Sequence, residues 1–95
     1  MDTLDAQTIA DVLEEIEGWE HVDDGLSRQF VLDGFADAIG FIVRIGFAAE
    51  SMNHHPELSN VYDRVTVRLT SHDAGGVTER DVALARIIDA LARRG

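Results

Sequence analysis

The chain has 95 residues, 45% of them hydrophobic, with eighteen acidic residues against eight basic ones and no cysteine. That length and apolar content bound it to one small domain, residues 1–95, with a single core. The missing cysteines exclude disulfides and thiolate metal sites, and a formal net charge of −10 repels phosphate backbones, so no direct nucleic-acid partner is expected.

No stretch of about 18 apolar residues occurs, so no membrane-spanning helix and no membrane partner are expected. Met1-Asp2-Thr3-Leu4-Asp5 has neither the basic start nor the apolar core of a signal peptide. A cytoplasmic location is the expectation.

Asp5 can cap a first helix whose apolar stripe is Ile9, Val12, Leu13 and Ile16, with Gly18 ending it. Trp19 to Val22 reads as a short strand. Asp23-Asp24-Gly25 follows with turn chemistry, since Asp and Gly tolerate positive φ. Leu26, Arg28, Phe30 and Leu32 alternate with Ser27, Gln29 and Val31, the period of a strand buried on one face. The two strands make a hairpin.

A long helix is expected from Asp33, with Phe35, Ala38, Ile39, Ile42, Ile45, Gly46, Ala49 and Met52 as its core stripe. Phe41, Phe47 and Ala48 fall off that stripe, so the middle of the helix is apolar nearly all round. Such a helix needs cover beyond its own sheet, which points to a subunit contact. Pro56 stops the helical region. Leu58 to Val61, the Tyr62-Asp63 turn and Arg64 to Thr70 then form a second hairpin. After the His72-Asp73-Ala74-Gly75-Gly76 loop, Thr78 and Asp81 make a capping box for a last helix. Leu84, Ala85, Ile88, Leu91 and Ala92 line its inner face, and Arg93 and Arg94 suit its C-terminal dipole. The order α-β-β-α-β-β-α implies an α+β domain: a four-stranded antiparallel sheet with three helices on one face.

Three of the four histidines, His54, His55 and His72, fall within one stretch. Imidazole titrates near neutrality, so such a cluster suits proton transfer. As metal ligands the three are poorly arranged: neighbouring side chains diverge, and no His-x-x-x-His pair exists, so no metal site is expected. A nucleophilic site lacks both a cysteine and a G-x-S-x-G elbow. Gly75-Gly76 belongs to no phosphate-binding pattern. His21 reads as an exposed strand residue. Acid–base chemistry remains.

The full pattern is Glu50, three residues, His54-His55-Pro56, five residues, Tyr62, nine residues, His72, eight residues, Asp81. It resembles the pterin-4a-carbinolamine dehydratase family. Gly18-Trp19, Phe30-x-Leu32, Phe35 and Gly76-Val77-Thr78-x-x-Asp81 extend the resemblance from Leu4 to Leu91. Three positions depart from the family's pattern. Gly34 stands where Asp is frequent, so Asp33 would cap the long helix one residue earlier. Leu58 replaces an aromatic that would stack at the pocket mouth, and Ser71 replaces a threonine.

The resemblance implies dehydration of a 4a-hydroxytetrahydropterin to a quinonoid dihydropterin, as in tetrahydrobiopterin recycling beside an aromatic amino acid hydroxylase, with no metal or organic cofactor. It makes His54 and His72 the general acid–base pair and His55 the group that binds and orients the ring. It makes Glu50, Asn53, Pro56, Thr70, Ser71 and Asp73 the lining of the pocket. Asp81 either orients a histidine or only caps its helix. It also implies a homodimer or homotetramer. The alternative is a binding or assembly module on the same fold, a transcription coactivator or an assembly chaperone.

Overall fold

The structure is a computed structural model that describes residues 2–94, the side chain of Arg94 excepted, so the expected role of that arginine lies outside the described residues. Seven elements follow one another: α1 (Ala6–Glu15), β1 (Glu20–Val22), β2 (Gly25–Val31), α2 (Phe35–Met52), β3 (Glu57–Val61), β4 (Arg64–Leu69) and α3 (Glu79–Arg94). This is the expected order, with strand ends moved by one residue: Trp19 and Thr70 lie just outside their strands, and Glu57 joins β3.

The sheet runs β1-β2-β4-β3, with every neighbouring pair antiparallel. The second strand of each hairpin therefore lies inside. β2 and β4 pair from Leu26 opposite Leu69 to Val31 opposite Arg64. Side chains alternate across a sheet. Leu26, Phe30, Val65, Val67 and Leu69 share one face and are buried, while Gln29, Thr66 and Arg68 on the other face are not. Ile9 of α1, Ala38, Phe41, Ile45 and Ala49 of α2, and Leu84, Ala85 and Ile88 of α3 complete one core. All three helices thus cover the same face.

The sequence reading of α2 needs correction at its N-cap and in its core stripe, where Phe35 and Ile39 are exposed and Phe41 is buried. Its N-cap is Gly34, with extended backbone and no side-chain cap bond, so Asp33 does not cap it. Asp37 supplies the acidic charge in the first turn instead, where it suits the positive end of the helix dipole. Phe41 is fully buried rather than off the core stripe. It packs edge-on against Phe30 at 5.0 Å between ring centroids, and Phe30 packs on Trp19 at 6.0 Å. The buried arc is Ala38, Phe41, Ile45 and Ala49, spaced three or four apart. Phe35, Ile39, Val43 and Phe47 face outward.

At the other end of the core, Asp89 of α3 is buried and accepts from Trp19 Nε1 at 2.9 and 3.1 Å and from Arg28 at 2.9 Å. This explains why Arg28, whose place in β2 points it inward, is tolerated there. Its guanidinium also lies 4.4 Å from the centre of the Phe30 ring.

Candidate active site

The site begins where α2 ends. Asn53 adopts the left-handed conformation (φ 50°, ψ 43°), which asparagine tolerates better than most residues. Its N–H donates to the carbonyl of Glu50 at 3.1 Å, and the N–H of His54 donates to that of Ala49 at 3.1 Å. These bonds close the helix and reverse the chain. One consequence is that the adjacent imidazoles part: His54 turns inward and is 6% exposed, while His55 turns out into solvent.

His54 Nε2 lies 2.5 Å from Asp81 Oδ1. The other oxygen of Asp81 accepts from the Ser71 hydroxyl and the Thr78 backbone N–H, both at 2.9 Å. Ser71 Oγ and Thr78 Oγ1 are 2.8 Å apart. All four residues are buried, Asp81 completely. The carboxylate therefore does both things the sequence left open: one oxygen caps α3 and the other meets the imidazole. An ionised carboxylate only accepts hydrogen bonds, so it fixes the His54 proton on Nε2. Nδ1 makes no hydrogen bond among the described residues. His54 thus has one nitrogen held from behind and the other without a protein partner among the described residues.

His55 Nε2 meets Glu50 Oε1 at 2.8 Å, with both side chains largely exposed. Such a pair is weakly stabilising. His72 sits in the turn after β4, exposed, and its side chain makes no hydrogen bond among the described residues. The residues on either side hold that turn. Thr70 Oγ1 donates to the carbonyl of Asp24 at 2.7 Å, Ser71 is tied to Asp81, and Ser71 forms an isolated bridge with Gly76. Asp73 lies 3.8 Å from Arg80. Asp24 accepts from Arg68 at 2.8 Å, and this bond chiefly holds its carboxyl below the usual carboxylate range; the positive field of His72 adds a smaller effect.

His54, Asp81 and Ser71 are brought together, and Glu50 joins His55. Tyr62 is not: it occupies the far turn of the β3–β4 hairpin, roughly 17 Å along β3 from the histidine pair. No group of three or more His, Asp or Glu side chains among the described residues is placed to hold a metal. Among the described residues, a cavity of about 530 Å³ lies beside Arg28 and Asp89, away from His54, His55 and His72. Sequence reasoning missed Asp24 and Arg80. Asp24 reads only as turn chemistry and Arg80 belongs to no motif, and both reach the site through pairings that only the folded chain makes.

Residues 2–91 match the family described as pterin 4 alpha carbinolamine dehydratase. The chain belongs to that family, one of hydro-lyases. A candidate pterin-4-alpha-carbinolamine dehydratase of Thermomicrobium roseum is 48% identical over 92 residues, covering 97% of this chain and 99% of that one. Another from Opitutus terrae is 51% identical over 85 residues, 88% of each chain. In structure, the transcriptional coactivator/pterin dehydratase of Brucella melitensis aligns with a TM-score of 0.92 at 36% identity, over 96% of this chain and 99% of that one. A pterin dehydratase-like protein identified as a RuBisCO assembly factor in the alpha-carboxysome shares the fold alone, with a TM-score of 0.68 at 23% identity over 80% and 90% of the two chains.

Proposed function

We propose that this chain dehydrates a 4a-hydroxytetrahydropterin to the quinonoid dihydropterin. The observation that carries the reading is His54, a nearly buried imidazole with one nitrogen held by a buried carboxylate and the other without a partner among the described residues, in a member of this family. In the reaction the C4a–O bond breaks and the hydroxyl leaves as water, taking a proton from an imidazolium. The N5 proton passes to a base, and the electrons of the N–H bond form the C4a–N5 double bond. His54 and His72 are the acid–base pair on the two sides of the pterin. Asp81 holds the His54 ring in place through Nε2, the positioning role of a carboxylate behind a catalytic histidine.

His55, steadied by Glu50, binds and orients the ring. Asn53, Pro56, Thr70, Ser71 and Asp73 shape the walls. The step needs no metal or organic cofactor, and its place is the cytoplasm, beside an aromatic amino acid hydroxylase that releases the carbinolamine. The test is decay of freshly generated carbinolamine with the protein before and after chelator treatment. Acceleration over buffer is expected. Its absence sinks the reading, and loss of activity on chelation would point to a metal.

The outward face of α2 supports a second element, a homo-oligomer of at least two copies. Phe47 is 76% exposed, and Phe35, Ile39 and Val43 continue the apolar stripe, a surface that monomers seldom leave open. Phe47→Glu is expected to lower the oligomeric state in light scattering while the chain stays folded. A wild-type monomer would remove this proposal and leave the chemistry standing. The same face suits the alternative, an assembly or coactivator module, which would predict normal partner binding by a His54→Ala, His72→Ala double variant.

A further inference from the structure

His72 has no hydrogen bond of its own side chain among the described residues, so its placement depends on its neighbours. Two consecutive residues at the start of α3 hold those neighbours. Asp81 joins His54 to Ser71, and Arg80 joins the carbonyl of Asn53, at 3.0 Å, to the Asp73 carboxylate, at 3.8 Å. The pairs are in step. Asn53 and His54 stand on one side, Ser71 and Asp73 on the other, and His72 lies between the last two.

We propose that Arg80 is a positioning residue: its guanidinium clamps the end of α2 to the His72 turn and fixes the separation of the two acid–base imidazoles. The inference rests on the acid–base reading of His54 and His72. A guanidinium suits the task because its planar fork aims a donor at the Asn53 carbonyl while its delocalised charge lies within ion-pair distance of the exposed Asp73 carboxylate. The Asn53 carbonyl is a terminal acceptor at the negative end of the α2 dipole, where a cation is favoured. Arg80 is itself steadied, since its backbone N–H donates to Thr78 Oγ1 at 3.2 Å. Backbone N–H groups of Ala74, Gly75 and Gly76 donate to the carbonyls of Ser71 and His72 and close the turn on itself. Arg80 ties that closed turn to the end of α2.

The experiment compares Arg80→Gln, Arg80→Lys, Asp73→Asn and the Arg80→Gln, Asp73→Asn double variant by turnover and by backbone amide order parameters of residues 72–75. Arg80→Gln is expected to lower kcat about tenfold with KM within about threefold, since misplacement by an ångström costs rate more than binding. Arg80→Lys should not restore it. Asp73→Asn should cost less, and the double variant should be no slower than Arg80→Gln, because both cut one connection. The order of residues 72–75 should fall in Arg80→Gln. Additive losses, a kcat within about twofold of wild type, or a turn that stays as ordered as before would each overturn the clamp. If His72→Ala turns over like wild type, the acid–base reading fails; the order parameters still report on the clamp without any turnover.

Discussion

His54 and His55 are neighbours in the chain and opposites in the fold. One is nearly buried against a fully buried carboxylate, the other exposed against an exposed one. The ion-pair lengths alone, 2.5 and 2.8 Å, would suggest two similar interactions. Environment separates them. Coulombic attraction is screened and hydration is cheap at the surface, whereas inside every donor and acceptor needs a partner. The buried pair is a device for holding one proton at a defined nitrogen, and the exposed pair is an adjustable contact.

Turnover offers the largest contrast. His54→Ala and His72→Ala are expected to reduce kcat by about 100- to 10,000-fold, the range of a lost general acid or base, while His55→Ala acts mainly on binding of a dihydropterin analogue. Steady-state kinetics on the carbinolamine, paired with analogue titrations, would check this; equal effects of His54→Ala and His55→Ala on kcat would erase the distinction.

Stability should divide the carboxylates in the same way. Asp81→Ala leaves His54, Ser71 and the Thr78 N–H without their acceptor, and removing one member of a buried pair costs about 3–5 kcal/mol. Glu50→Gln should cost under about 1 kcal/mol. Urea unfolding of both variants is the measurement, and similar midpoints would break the comparison. Between these, Ser71→Ala removes one donor from Asp81 and the hydroxyl partner of Thr78, an effect of about 1–3 kcal/mol.

The smallest effect lies with the exposed carboxylate of Asp24, whose pKa is lowered mainly by its hydrogen bond from Arg68. A depressed folded-state pKa contributes stability above the unfolded carboxylate pKa, and that contribution is lost as pH falls through the folded value. Asp24→Asn should therefore differ from wild type at neutral pH and converge with it in acid. Carboxyl NMR of Asp24 in wild type and Arg68→Gln would show the titration move back toward the ordinary range; an unmoved curve would assign the shift elsewhere.

The elements were legible because each carried local chemistry. Asp5 does accept the Thr8 N–H at 2.8 Å, the Asp23-Asp24-Gly25 turn forms, and Thr78 with Asp81 caps α3. The family resemblance named the histidines, and the fold placed His54 and Asp81 in contact. The long helix was harder to read. Apolar residues surround it, so a count anchored on Phe35 and Ile39 selected an outward edge and put Phe41 off the core. Only the packing of Phe41 on Phe30 decides between the faces. Arg28, Asp89 and Trp19 were invisible as a unit because up to 70 positions separate its members. Arg80 was hidden for the same reason, since its two partners lie on different loops.

The left-handed residue at Asn53 makes this junction sensitive to length more than to composition. Between the last turn of α2 and Pro56 the chain has only three residues in which to reverse. One deleted residue would carry His55 toward Asp81, and one added residue would turn His54 out into water and set a non-histidine against the carboxylate, although both histidines would survive in the sequence. Laboratory variants of this domain can therefore explore side chains around the histidine pair, but should keep its spacing fixed.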